Sequence, residues 1–142
     1  IRVHATGIKL ESKLGEFVRD GSFTLQSEEE IVIEQKLFLQ QLHEMDSYYV
    51  NEHIVNLLLE VRGNLRTEKQ EMLSTIDRFL TLPPDERLLF TVGRRLNIFF
   101  RLDDLKKPKL YQKAGESLQQ ILSKNPHVDF AALCNYVRQS QI

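Results

Sequence analysis

Eight basic side chains crowd into residues 87–113: Arg87, Arg94, Arg95, Arg101, Lys106, Lys107, Lys109 and Lys113. Arg87, Arg94 and Arg101 fall seven apart, which is the spacing of one helical face. Lys106, Lys107 and Lys109 fill the turn that follows, and Tyr111 offers a ring on which a base can stack. Cations strung along a face neutralise phosphates, so the chemistry they offer is to follow a nucleic-acid backbone. The plainer role for the same residues is a solvated helix surface whose cations pair with Asp85, Asp103 and Asp104.

Other chemistries find less material. The four histidines, His4, His43, His53 and His127, are scattered, and the lone Cys134 cannot complete a four-ligand zinc site. His43-Glu44 opens an H-E-x-x-H pattern that fails at Ser47. His127 and Cys134 are separated by a helix start, with no acid placed to orient the imidazole. Six glycines stand singly, without a phosphate-binding loop. Catalytic residues, metal and cofactor are therefore all expected to be absent. Gly93 and Gly115 fall inside helical patterns, where each costs about 1 kcal/mol relative to alanine, so close helix contact is expected at both.

The elements that must carry these residues read as about seven helices. Ile8, Leu10, Leu14, Phe17 and Val18 trace the first, ending near Asp20-Gly21. Ser27 with Glu30 is a capping box for the second, which runs through Met45 and, being apolar on nearly two faces at Leu37 to Leu39, is expected to be central. Tyr48, Tyr49 and Val50 lead into a third helix, Ile54 to Val61, closed by Gly63-Asn64, and Thr67 with Gln70 caps a fourth that stops at Leu82-Pro83-Pro84. Leu88 to Phe100 make the fifth, running out at Asp103-Asp104. Leu110 to Leu122 make the sixth, ended by Asn125-Pro126, and Val128 to Val137 the seventh. No segment alternates long enough to read as a strand.

Phe79-Leu80, Pro84, Leu88-Leu89 and Val92 return 42 positions later as Ile121-Leu122, Pro126, Phe130-Ala131 and Cys134, which reads as one helical hairpin used twice. The fold class is thus all-α, with antiparallel hairpins arranged as a short α-solenoid or an irregular helical bundle, and residues 1–142 form a single domain. The end after the seventh helix reads as a piece of a longer helical-repeat protein.

With 142 residues, 42% hydrophobic and 27% charged, the chain is large and apolar enough to bury a core. No apolar run approaches the roughly 20 residues that span a bilayer, so no membrane is expected. A lone cysteine suits a reducing, intracellular compartment, nuclear, cytoplasmic or organellar. Because the sequence starts at Ile1, no targeting segment can be read. The overall charge of −1 hides a division: residues 1–84 carry nine Lys or Arg against fourteen Asp or Glu, and residues 85–142 carry ten against six. The second half is the one that suits an acidic partner or nucleic acid.

In its rhythm Pro84 to Gln139 resembles two units of the HEAT-like repeats and of the heptatricopeptide repeats of organellar RNA-binding proteins. Leu88-Leu89 and Phe130-Ala131 would open the first helix of each unit, and Leu110 with Leu118 the second. That resemblance implies binding of RNA or protein on a helix face. Val92-Gly93-Arg94-Arg95-Leu96 followed by Leu110 to Leu122 is similar instead to the helical-bundle domain at the N terminus of transcription factor TFIIS, which docks disordered peptides. The expected function is a non-catalytic scaffold or adaptor for a protein partner. The alternatives are RNA binding through the basic half and TFIIS-like peptide docking in transcription. Nothing in the sequence sets the oligomeric state.

Overall fold

The capping box expected at Ser27 and Glu30 forms. The Ser27 hydroxyl accepts the Glu30 N–H at 3.2 Å, and the Glu30 carboxylate accepts the Ser27 N–H at 2.7 Å. In this computed structural model, which describes residues 1–43 and 45–140, the helices are α1 (Lys13–Arg19), α2 (Glu28–Gln41), α3 (Lys69–Leu80), α4 (Pro84–Arg95), α5 (Pro108–Lys124) and α6 (Phe130–Ser140). A 3-10 turn, Leu102–Lys106, precedes α5. Glu44, half of the H-E-x-x-H start, and Gln141 and Ile142 lie outside the described residues. The protein is mostly helical, and among the described residues no helix is long and apolar enough to cross a membrane.

Some of the helix boundaries expected from prolines and small caps are where the sequence places them, while those expected at Thr67 and Gly63-Asn64 are not. Pro84 occupies the first turn of α4 and Pro108 that of α5, where the missing N–H costs nothing, and Asn125 closes α5. Gly21 takes a left-handed φ of 80° just after α1. That helix is shorter than expected: Ser12 caps it, and Ile8 and Leu10 belong to the segment before it. The second helix stops at Gln41 rather than Met45, and only Glu28, Val32 and Leu39 of it are buried, so Leu37 and Phe38 stand exposed.

The expected third helix is absent. Tyr48–Tyr49 (β1) pairs antiparallel with Gly63–Asn64 (β2), and the intervening residues form a buried irregular loop. Val55, Leu57, Leu58 and Val61 are all buried, but Asn51 and Asn56 use their side-chain amides on the backbone. Asn51 Nδ2 donates to the Leu58 carbonyl at 2.7 Å, and Asn56 Nδ2 to the Asn51 carbonyl at 3.2 Å. Such side-chain bonds compete with the helical ladder and allow a buried backbone without one. Gly63 accordingly sits in a strand and not in a helix cap. Thr67 caps nothing: Asn64 Oδ1 accepts the Arg66 and Thr67 N–H groups, and Glu68 precedes α3 without a side-chain cap.

The fifth expected helix ends early, at Arg95. Asn97 adopts φ 57°, its N–H returns to the Arg94 carbonyl and the Ile98 N–H to that of Gly93, a Schellman closure with asparagine in the glycine's usual place. The reversed chain lays Phe99 over Gly93, where an added Cβ would sit 2.4 Å from the Phe99 ring and 3.2 Å from Ala114 of α5. Close contact thus explains Gly93. Gly115 faces open space, and close packing does not explain it.

One apolar cluster runs from Val32 and Leu39 of α2 through Met72, Ile76 and Phe79 of α3 and Leu89 and Phe90 of α4 to Ala114 of α5. Phe90 is its centre, with its ring centroid 5.8 Å from those of both Phe79 and Phe99. Helix α2 packs on α3, while α5 and α6 both pack on α4. The positions expected to correspond across a repeated hairpin differ in depth: Phe79 and Leu89 are buried, whereas Ile121 and Ala131 are only half-buried.

Candidate functional site

The basic residues of 87–113 do not share one exposed face. Arg94 and Arg95 are interior, 0% and 4% exposed, one turn beyond Phe90 and Thr91 on a stretch of α4 buried from Leu89 onward. Arg94 donates to the Ile54 and Asn56 carbonyls at 2.9 and 3.2 Å and lies over the Phe100 ring, so it braces the loop between the strands. Burial, with Arg95 alongside, brings its pKa down to about 10. Arg87 is half-buried, lies 3.1 Å from Glu29 and donates to the Leu80 and Leu82 carbonyls. Lys106 and Lys107 pair with Asp103 and Asp104 at 2.7 Å. Arg101, Lys109, Lys113 and Tyr111 are exposed. Arg94 and Arg95, expected on a phosphate-facing surface, are therefore out of a phosphate's reach, because α4 is enclosed by α5, α6 and the loop.

Arg95 instead meets Glu28 at the start of α2, its Nε and Nη2 donating to the two carboxylate oxygens at 3.0 and 2.6 Å. Arg138 of α6 donates to the same carboxylate. All three side chains are buried, so one acid answers two guanidinium groups and the cluster keeps an excess positive charge. Cys134, one turn before Arg138, is buried beside them, and burial, reinforced by the Glu28 charge, pushes its thiol up to about 12. A thiol so held is protonated and inert at neutral pH.

Arg138 also forms part of the wall of a cavity of about 360 Å³. The other walls are α1 at Leu14, the α1–α2 connection at Phe23, Leu25 and Gln26, α2 at Ile31, Glu34, Gln35 and Phe38, β1 at Tyr49, and an extended arm, Val3 to Ile8. Side-chain amides hold the arm. Asn56 accepts the Ala5 N–H at 2.6 Å and donates to the Val3 carbonyl at 2.8 Å; Asn135 of α6 accepts the Ile8 N–H at 2.8 Å and donates to the Ile8 carbonyl at 3.0 Å. Arg2 and Val50 add a parallel bridge, and His4 stacks on His53 at 4.2 Å.

Most of this lining is apolar. The polar groups deepest in the fold are Tyr49, whose hydroxyl is buried without a partner, and Arg138, whose Nε is likewise unpaired. Burial raises the Tyr49 phenol well above its ordinary range, so it stays a neutral donor. Comparison with protein-family models, with curated proteins and with solved structures returns no match. The site therefore rests on its own geometry. A mostly apolar cavity of a few hundred Å³ with a few inward polar groups is what a binding site requires. Among the described residues no cluster of three or more His, Cys, Asp or Glu could hold a metal.

Glu28, Tyr49, Asn56, Asn135 and Arg138 were not among the sequence candidates. Glu28 had a signal: with Val32 and Leu39 it shares the buried face of α2. Arg138 shares a face with Cys134, one turn earlier. Tyr49 and Asn56 had none, since they fall in the lead-in and the body of the expected third helix.

Proposed function

We propose that this chain is a non-catalytic helical module that binds a segment of a protein partner, with the partner's apolar side chains entering the cavity between the arm, α1 and α2. The observation that carries this reading is an open cavity rimmed by large apolar side chains left in solvent, Phe23 at 39% and Phe38 at 41% exposed. Exposed aromatics around a concavity mark interaction sites more often than scattered ones do. The architecture behind it is an irregular bundle, an inference supported by the single apolar cluster linking α2 to α5. As an adaptor it needs no cofactor.

Selection of displayed peptides on the intact chain tests the reading. Apolar peptides should be enriched, and their binding should fall with Phe38→Ser and Leu25→Ser but persist with Lys109→Ala and Lys113→Ala. Enriched peptides indifferent to Phe38 and Leu25 would overturn it. So would single-stranded RNA binding that weakens steeply with salt in the absence of peptide binding, because that slope counts phosphate contacts.

A further inference from the structure

Tyr49 and Arg138 come from β1 and α6, far apart in the chain, yet they meet the same cavity with exposures of 0% and 2%. Each carries a donor without an acceptor: the phenol hydroxyl and the guanidinium Nε. A buried donor left unpaired is costly, and a group that accepts from it is correspondingly favoured. The charge points the same way. Glu28 is one carboxylate shared by Arg95 and Arg138, so the wall at Arg138 has one positive charge more than it can neutralise. Both lining amides are already used, with Gln35 Nε2 donating to Asn51 Oδ1 at 2.7 Å and Gln26 Nε2 to the Glu34 carboxylate at 3.4 Å; Gln26 and Glu34 are exposed to solvent, and Leu14, Phe23 and Ile31 give the wall an apolar stretch.

From these observations we infer that Tyr49 and Arg138, both on the wall of this cavity, recognise a carboxylate carried by the partner's apolar segment. The inference rests on the binding reading above and names its chemistry. An apolar side chain fills the Leu14–Phe23–Ile31 side, and the carboxylate accepts from the Tyr49 hydroxyl and Arg138 Nε. The carboxylate can come from an acidic side chain or from a chain terminus. A single negative charge matches the excess that Glu28 leaves, and a neutral carbonyl would satisfy the donors but not the charge.

The test uses the intact 142-residue chain and four probes, followed by NMR. They are N-acetyl-leucyl-phenylalanine with its free carboxylate, the same peptide as its amide, N-acetyl-aspartyl-leucyl-phenylalanine amide, and inorganic phosphate. At least one carboxylate peptide should shift the Phe23, Ile31 and Arg138 Nε–H resonances and bind about tenfold or more tightly than the neutral amide, as expected for a charged hydrogen bond. Which of the two binds better distinguishes terminus from acidic side chain. Tyr49→Phe keeps the ring and should reduce the preference several-fold without lowering the melting temperature. Arg138→Lys should reduce it too. Equal binding of amide and acid, with shifts at the cavity, would overturn the carboxylate while leaving the cavity reading in place. Phosphate shifting the same resonances as strongly would overturn it as well, and no shift with any probe would overturn both.

Discussion

Two clusters of acids and bases in this protein use similar side chains to opposite ends. On the 3-10 turn, Asp103 and Asp104 pair with Lys106 and Lys107, each three residues away and each lysine in solvent. Inside the fold, Glu28 pairs with Arg95 and Arg138, residues 67 and 110 positions off, and all three are buried. The local pairs gain little, because water screens them and two flexible side chains must be ordered. The interior cluster ties the start of α2 to the end of α4 and to α6, and there no solvent is available to replace a missing partner. A charge's contribution is thus set by what surrounds it and not by how many neighbours of opposite sign the sequence supplies.

The sharpest way to break that contrast is Glu28→Ala. Two buried guanidinium groups would lose their carboxylate, and stability by chemical denaturation should fall by about 3–5 kcal/mol. Leu89→Asp places an unanswered charge on the same buried face of α4 and should also cost several kcal/mol. A transition unmoved by that change would show the face to be open. Gly93→Ala, which drives a methyl group into Phe99 beside the interior arginines, should cost about 1–3 kcal/mol in the same measurement.

Asp104 stands between the two extremes. Its Oδ2 accepts the Phe100 and Arg101 N–H groups at 2.8 and 3.0 Å, so Asp104→Ala should cost about 0.5–2 kcal/mol, as removing a helix cap does. Burial alone would raise its carboxyl, but the Lys107 ammonium and those two N–H groups hold it below the ordinary aspartate value. A carboxyl depressed in the folded state adds stability that is fully present above the unfolded pKa and is lost as pH falls through the folded one. Melting temperature followed downward from neutral pH should therefore decline less steeply in Asp104→Ala than in the parent chain. Smallest of all, Lys106→Ala should change stability by at most about 1 kcal/mol, and any effect should vanish in high salt. A large, salt-resistant effect there would erase the distinction between the two clusters.

Helix ends were the most legible part of the fold. Ser27–Glu30, Pro84 and Asn125 act on backbone groups within a turn of themselves, so residue type and spacing suffice to predict them. The segment from Ile54 to Val61 fits a helical stripe in its apolar residues, yet no helix forms there because Asn51 and Asn56 find partners that only the fold supplies. Helix α4 ends before its apolar spacing does for a similar reason: Asn97 is a weaker stop signal than glycine, and Phe99 continues that spacing while packing from beyond the reversal. The basic residues were read by charge alone, which carries no information about depth.

By itself, the sequence determined that the chain is mostly helical, where a few helix ends fall, and that residues 85–142 carry the positive charge, because capping, proline geometry and charge counts are local or additive. Only the tertiary structure decided that Arg94, Arg95 and Arg138 lie inside, that Tyr49 and Arg138 line one cavity, and that an arm held by Asn56 and Asn135 walls it. Burial and pairing between residues a hundred positions apart follow from how the helices stack, and no spacing along the chain encodes them.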